Sequence, residues 1–244
     1  MSQHRFYCPD ELAADVAVSL PETAAAHAAR VLRMQVGDTA ILFNGDGFDY
    51  NCQFTAVQKN SVTAKVTSSV AITNESPLDI LLLQGISSGD RMDYTIQKAV
   101  ELGVRAIQPI ATERSVVKLN QERAEKRVAH WQQIVISACE QSGRAYVPEV
   151  YSPLSLSQWL AQHPQQTTCR ILLNPLGAKQ LAKLPKPASQ IQLLIGAEGG
   201  LSANEIETAV AHGFQSILLG PRVLRTETAA LAAIASMHTL WGDF

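Results

Sequence analysis

Residues 191–201 read Ile-Gln-Leu-Leu-Ile-Gly-Ala-Glu-Gly-Gly-Leu, and the next four are Ser202-Ala-Asn-Glu205. Five strand-like residues run into a turn that carries Gly196, Gly199 and Gly200. Ser202 can accept from the backbone N–H three residues on while Glu205 reaches back, the capping-box pattern, so a helix opens there. The stretch reads as strand, sharp glycine turn and capped helix. Glycine serves such a turn by permitting positive φ and by letting the backbone approach a ligand closely. A plain connection between strand and helix would use the same residues, so this turn alone leaves both readings open.

A second turn follows about twenty residues later: Leu219-Gly-Pro-Arg-Val-Leu-Arg-Thr-Glu-Thr228. It comes after the apolar run Ile217-Leu218-Leu219 and precedes a helix expected from Ala229 onward. Thr226 is the expected N-cap, and Glu227 falls in the first turn, where the helix dipole favours a carboxylate. Two arginines, Arg222 and Arg225, a glutamate and two hydroxyls crowd one loop, more polarity than a connection needs.

Working back from these units, the chain alternates strands and helices. The pattern predicts strands at 79–84, 105–110 and 168–174. Helices are predicted at 90–102, 120–142 and near 155–161, the first two stopped by Gly103 and Gly143. Alternation of this kind predicts an α/β fold with a parallel sheet covered on both faces. In such sheets ligands sit at the carboxyl ends of strands. Three loops there compete for the site: the one after Asn174, residues 196–200 and residues 219–228. Residues 177–184 are a further segment before the Pro185–Pro187 break.

Residues 1–72 read differently. Thr39–Phe43 is strand-like, Asn44-Gly-Asp-Gly47 is a turn, and Phe48, Tyr50, Cys52, Phe54 and Ala56 then alternate with mostly polar residues. After Lys59-Asn60-Ser61, Val62, Ala64 and Val66 alternate too. Period two on both sides of short turns predicts antiparallel strands with one buried face. A helix is expected over 23–33, with Arg30 and Arg33 three apart on it as a solvated pair or a phosphate contact. Thr73-Asn-Glu-Ser-Pro77 has linker composition, which divides the chain into domains 1–72 and 73–244.

A net charge of −2 excludes a uniformly basic nucleic-acid coat, so any nucleic-acid surface is a local patch. Cys8, Cys52, Cys139 and Cys169 include no CxxC pair, and His130, His163, His212 and His238 have no partner at metal spacing, so no metal site is expected. There is no apolar leader and no long apolar run, which predicts a soluble cytoplasmic protein with no membrane partner. The glycines do not fit GxGxxG, no Walker lysine follows them, and HExxH and GxSxG are absent. An arginine-bearing glycine loop that approaches an adenosine-type ligand through its backbone remains open.

Ile195-Gly-Ala-Glu-Gly-Gly200 together with Leu219-Gly-Pro-Arg-Val-Leu-Arg-Thr-Glu-Thr-Ala229 resembles the ribosomal small-subunit methyltransferase E family. These are SPOUT-class enzymes that make N3-methyluridine in 16S ribosomal RNA from S-adenosylmethionine. Residues 84–103 and Ala138-Cys-Glu-Gln-Ser-Gly-Arg144 are similar to the same family, and His27-Ala-Ala-Arg-Val-Leu-Arg33 with Phe43-Asn-Gly45 resembles its PUA-like RNA-binding module. Ala197 stands where the family pattern has proline, which is expected to loosen the turn.

The resemblance implies a SPOUT-like C-terminal domain with a trefoil knot, a small PUA-like β-barrel before it, and a homodimer with its site near the subunit interface. It implies that S-adenosylmethionine is held by Leu173, Asn174, Ile195, Gly196, Glu198, Gly199, Gly200, Leu219, Gly220, Leu224, Thr226, Thr228 and Ala229. Gly199 is expected to permit close approach to it. Uracil N3–H is a poor nucleophile until it loses its proton. Arg222 or Arg225 can stabilise the developing negative oxygen, and Glu198 or Glu227 can act as base, with no ranking between them. Glu198 is alternatively a partner for the sulfonium. For 16S rRNA or the small ribosomal subunit, the expected contacts are Arg5, Arg30, Arg33, Arg91, Arg114 and Arg123, within a wider basic segment that adds Arg105, Lys118, Lys126 and Arg127. Three other readings stay open: methylation of another RNA position, such as a ribose 2′-hydroxyl of transfer RNA; a non-enzymatic RNA-binding assembly factor; and, weakest, a small-molecule methyltransferase, for which the β-rich N-terminal module has no evident role.

Overall fold

The computed structural model of the chain describes residues 3–117, 120–164, 168–176 and 179–244. They divide into two compact units: residues up to 75 with 136–147, and residues 76–135 with 148–244.

The first unit contains β1 (Arg5–Tyr7), β2 (Ala17–Ser19), α1 (Glu22–Ala26), β3 (Thr39–Phe43), β4 (Phe48–Gln58) and β5 (Ser61–Ala71). The sheet runs β1-β3-β4-β5-β2. The alternation expected of β5 holds and that of β4 holds in part: Tyr50, Cys52 and Phe54 on β4, and Val62, Ala64 and Val66 on β5, are buried in a core with Phe6, Val18 and Leu42, but Phe48 and Ala56 are exposed, because irregularities in register at Asn51/Cys52 and at Phe54/Ala56 break the period of two. Two additions were not expected. β1 and β2 are only three residues each, too short for a period of two to register, and β1 pairs with β3 in parallel.

The helix of this unit is also irregular. α1 passes into a π turn over His27–Val31, and Arg33 has φ 56°. The N–H of Met34 donates to the carbonyl of Ala28 at 3.0 Å, a seven-to-one bond, one residue wider than the six-to-one bond of a Schellman ending, as fits a π turn; like that ending it has a left-handed residue just before the donor. Arg33 fills that position, so it lies beyond the helix and not three along it from Arg30. Within the same unit, Glu75 accepts from Arg144 Nη2 at 2.7 Å and from the N–H of Tyr146 at 3.2 Å, and Arg5 Nη2 donates to the carbonyl of Arg144 at 3.0 Å. These bonds tie residues 136–147 to the β-rich unit.

The second unit begins with β6 (Ile80–Gly85), α2 (Asp90–Glu101), β7 (Ala106–Ala111) and α3 (Gln121–Ser142), whose last turns belong to the first unit. There follow β8 (Glu149–Val150), β9 (Leu154–Ser155), α4 (Leu156–Gln162), β10 (Cys169–Leu173), β11 (Lys179–Gln180), β12 (Ile191–Ile195), α5 (Ala203–Ala211), β13 (Gln215–Leu218) and α6 (Thr226–Trp241). The strands form one parallel sheet in the order β11-β13-β10-β12-β6-β7-β8, with β9 also paired to β7. Every residue of β6 and of β12 is buried, as in a strand covered on both faces. Met92, Thr95, Ile96, Ala99 and Val100 form the buried face of α2 at helical spacing, and Gly103 at φ 86° ends it. α6 packs against α2 through its own helically spaced stripe, which includes Ala230, Ala233, Ile234 and Met237. Of the segment 177–184, Gly177 and Ala178 lie outside the described residues, as does Lys118 of the basic segment.

No helix among the described residues is long and apolar enough to cross a membrane, and no group of three or more His, Cys, Asp or Glu is placed to hold a metal ion. All four cysteines are free thiols, and burial pushes Cys139 up to about 12.

Candidate active site

β13, β10 and β12 are neighbours in the sheet, with Leu173 registered against Ile217 and Leu172 against Leu194. Their carboxyl ends therefore release the 174–176, 196–202 and 219–225 loops side by side. A cavity of about 700 Å³ lies among these loops. This is the crevice position favoured in parallel sheets, at a size usual for small-molecule sites.

The glycine turn is shaped by its own chain. The N–H of Gly200 (φ 68°) donates to the carbonyl of Ala197 at 2.9 Å, which closes the turn. A Cβ on Gly196 would stand 2.7 Å from the carbonyl carbon of Gly200 and one on Gly199 would stand 2.9 Å from Cβ of Arg114. The bare side of Gly199 is thus taken up by Arg114, not kept for a ligand. Ala197 is buried and its turn is closed by that hydrogen bond, so the missing proline leaves no open loop. The expected capping box forms: Glu205 N donates to Ser202 Oγ at 3.1 Å and Ser202 N to Glu205 Oε2 at 2.8 Å. The other oxygen of Glu205 accepts from the N–H of Glu113 at 2.9 Å, which fixes the loop after β7 beside the turn.

Glu198 is occupied. Its Oε1 accepts from the N–H and the hydroxyl of Ser88, both at 2.8 Å, and from Arg91 Nη1 at 3.2 Å. Desolvation alone would raise its pKa, but the hydrogen bonds from Ser88 and Arg91 prevail and hold the carboxyl below its ordinary value. A carboxylate stabilised as its anion in this way is a weak proton acceptor. Its visible work is to clasp the glycine turn to the loop between β6 and α2.

The second loop departs from expectation at its end. α6 begins at Thr226, three residues earlier than expected, and Arg225 holds the N-cap position without a side-chain cap. The Thr226 hydroxyl turns inward, donating to the carbonyl of Gly196 at 2.6 Å and accepting from Gln84 Nε2 at 2.9 Å. Glu227 sits in the first helical turn as expected, half-buried, with Oε2 enclosed and no hydrogen-bond partner among the described residues. Arg222 and Arg225 are exposed at the cavity mouth, and neither makes an ion pair with the described residues.

Leu173, Asn174, Ile195, Gly196, Glu198, Gly199, Gly200, Leu219, Gly220, Leu224, Thr226 and Ala229 all line the cavity, together with Arg222, Arg225 and Glu227. Thr228 does not; two residues from Thr226 on a helix, it faces about 200° away and is exposed. Arg91 and Arg114, expected to contact RNA, also line it, and Arg114 Nη1 donates to the carbonyl of Gly199 at 3.2 Å. The aliphatic wall from Ile206, Ile217 and Leu218 was not singled out by sequence, because nothing in an amphipathic or strand pattern separates cavity-facing from core-facing apolar residues.

The basic residues divide. Arg30, Arg33 and Arg123 are exposed. Arg5 is not available to a phosphate: its guanidinium pairs with buried Asp49, stacks 4.8 Å from the Phe43 ring centroid, and leaves the side chain 10% exposed.

Comparison with known proteins agrees with this architecture. Residues 74–238 match a family model described as an RNA methyltransferase domain, and residues 20–67 match one described as an RNA methyltransferase PUA domain. The chain is 32% identical over 240 residues to the ribosomal RNA small subunit methyltransferase E of Buchnera aphidicola, covering 98% of this chain and 94% of that protein. The crystal structure of a ribosomal RNA small subunit methyltransferase E from Neisseria gonorrhoeae, bound to S-adenosyl methionine, is 44% identical with a TM-score of 0.93, each chain covered fully. A Legionella pneumophila protein solved with the bound cofactor SAM is 38% identical with a TM-score of 0.96, again with full coverage of both chains.

Proposed function

The chain belongs to the ribosomal RNA small subunit methyltransferase E family, and from that premise we propose that it transfers a methyl group from S-adenosylmethionine to N3 of a uridine in 16S ribosomal RNA. The observation that carries this reading is the cavity at the carboxyl ends of β10, β12 and β13, walled by aliphatic side chains and loop backbone and rimmed by two arginines that no protein carboxylate among the described residues neutralises.

The cavity suits the donor. Its volume and apolar wall suit an adenosine, and the loop backbone at Ile195, Gly196, Gly200, Leu219 and Leu224 lines it, where peptide groups that the turn does not itself use can meet an adenine edge. S-adenosylmethionine, when bound, supplies a methyl group made electrophilic by the positive sulfur. The protein's own task lies with the acceptor. N3 of uracil must lose its proton as the methyl arrives, and the charge then spreads to the flanking carbonyl oxygens. Arg222 and Arg225, which make no ion pair with the described residues, can meet that charge at no cost in broken ion pairs. Glu198 is committed to Ser88 and Arg91, so Glu227 is the better-placed base, acting directly or through water.

The same reading extends to architecture and partners. The first domain, 1–72, is a PUA-like barrel that grips RNA through exposed Arg30 and Arg33. Arg91, Arg114 and Arg123 hold RNA beside the methyltransferase domain, 73–244. That domain carries the trefoil knot that the family resemblance implies. The enzyme acts in the cytoplasm as a homodimer, on the assembled small subunit.

Methyl transfer from labelled S-adenosylmethionine to small subunits lacking the modification, followed by nucleoside analysis, tests the reading. N3-methyluridine is the expected product. A 2′-O-methylated nucleoside, or donor binding with no transfer to any RNA, would overturn it.

A further inference from the structure

Behind the cavity wall, β6, the glycine turn and the start of α6 meet at one buried point. Gln84 is fully buried; its Nε2 donates to the carbonyl of Gly85 at 3.1 Å and to Thr226 Oγ1 at 2.9 Å. Thr226, 7% exposed, spends its one hydroxyl proton on the carbonyl of Gly196 at 2.6 Å. The direction of this relay is forced. The Gly196 oxygen only accepts, so the threonine must donate to it and accept from the amide. Flipping the Gln84 amide would set its oxygen against the Gly85 carbonyl, two acceptors facing each other. The unflipped amide leaves Oε1 enclosed with no partner among the described residues, a cost borne to keep the relay's polarity. Gly85 completes the junction: a Cβ there would lie 2.2 Å from the nitrogen of Ala197, so the strand end and the turn are in backbone contact.

We propose that Gln84 and Thr226 are positioning residues that seat the glycine turn and the 219–225 loop against each other, so setting the donor cavity. The threonine hydroxyl acts through the Gly196 peptide and not on the donor. This rests on the methyltransferase reading above, since it assigns the relay to donor binding. With Gly196 in the glycine turn and Thr226 opening α6 at the end of the 219–225 loop, losing the relay uncouples the two walls and leaves the exposed arginines untouched.

Thr226→Val keeps the shape and removes both hydrogen bonds. It is expected to raise the donor KM and Kd about tenfold or more, the loss usual for a buried hydrogen-bond pair, while the RNA KM stays within about twofold. Thr226→Ser should restore donor affinity. Gln84→Met should act in the same direction, and the double variant should be no worse than the poorer single one, because both break one relay. Hydrogen exchange in the donor-free protein supplies a readout independent of the function: amides of residues 197–200 should exchange faster in Thr226→Val. If Thr226→Val does not fold, Gln84→Met carries the same tests. Unchanged donor affinity in a folded variant, additive losses, or unaltered exchange at 197–200 would each overturn the relay. A wild-type protein that binds no donor would sink the methyltransferase reading instead, and the exchange experiment would still judge the relay.

Discussion

The carboxylate of Glu198 accepts both the backbone N–H and the hydroxyl of Ser88, each at 2.8 Å, across 110 residues of chain. This pair of hydrogen bonds clasps the glycine turn to the loop that opens α2. Glu198→Gln keeps an acceptor for Ser88 but loses the charge shared with Arg91. Transfer at saturating donor should stay within about tenfold of wild type, whereas loss of a general base costs about a hundredfold or more. The clasp also has a pH signature. Glu198 titrates lower in the fold than in the unfolded chain, so its stabilisation is present above the unfolded value of about 4.3 and fades as pH falls toward the folded one. The melting-temperature gap between wild type and Glu198→Gln should therefore be full at neutral pH and shrink in acid. A gap that widens in acid would refute the assignment.

The glycine turn and its capped helix were legible because each rests on bonds between residues within a few positions, such as Ser202 with Glu205. The parallel sheet was legible because β6 and β12 are almost wholly apolar runs. What escaped the sequence reading depends on distant partners. Thr226 follows the rule for an N-cap, yet its hydroxyl is claimed by Gly196, thirty residues earlier in sequence and adjacent only in the fold. Arg5 looks like any surface cation until Asp49 and Phe43 enclose it. The attachment of residues 136–147 to the first unit depends on Glu75 and Arg5, and helical periodicity in α3 carries no trace of it.

Arg170 supports a prediction about stability. It is 2% exposed and donates to Gln192 Oε1 at 2.8 Å, to the carbonyl of His212 at 2.8 Å and to that of His163 at 2.7 Å. His163 and His212 are the C-caps of α4 and α5, so one guanidinium satisfies the carbonyl ends of two helices, where their dipoles favour a cation. Its carbon lies 5.5 Å from the ring centroids of both Trp159 and Phe214. Arg170→Met should destabilise the protein by about 3 kcal/mol through the stranded carbonyls, or about 6–12 °C in melting temperature. Arg170→Lys, with one donor group in place of a fork, should recover only part of this. A melt unchanged in Arg170→Met would show that the carbonyls find other partners.

Arg225 should behave in the opposite way. It is exposed, pairs with no carboxylate among the described residues, and faces the cavity mouth. Arg225→Ala should leave the melting temperature within about 1 °C, as surface changes do, and leave donor binding intact. Methyl transfer should fall about a hundredfold, the usual loss when a group that stabilises developing charge is removed. Arg222→Ala separates the two arginines: the one whose loss spares transfer is not the oxyanion partner. Transfer near wild type in both variants would take the loop arginines out of the mechanism.

The cations of the first unit allow a sharper separation, because they differ in burial and share a charge. Arg30 and Arg33 are exposed, the one donating through Nε to the carbonyl of Lys59 at 3.1 Å, the other held beyond the helix at φ 56°. Each is free to neutralise a phosphate. Arg5 is spent on Asp49, itself 8% exposed. The double change Arg30→Ala with Arg33→Ala should weaken RNA binding and flatten the plot of log K against log salt by about 1.4, at about 0.7 for each single-strand phosphate that an arginine ceases to neutralise. Melting should barely move. Arg5→Ala should leave the salt slope unchanged but cost about 3–5 kcal/mol by abandoning a buried carboxylate. Measuring slope and melt on both variants tests each against the other. A slope that falls with Arg5 would mean that the Asp49 pair opens to meet RNA, and a slope untouched by Arg30 and Arg33 would move the phosphate contacts off this face.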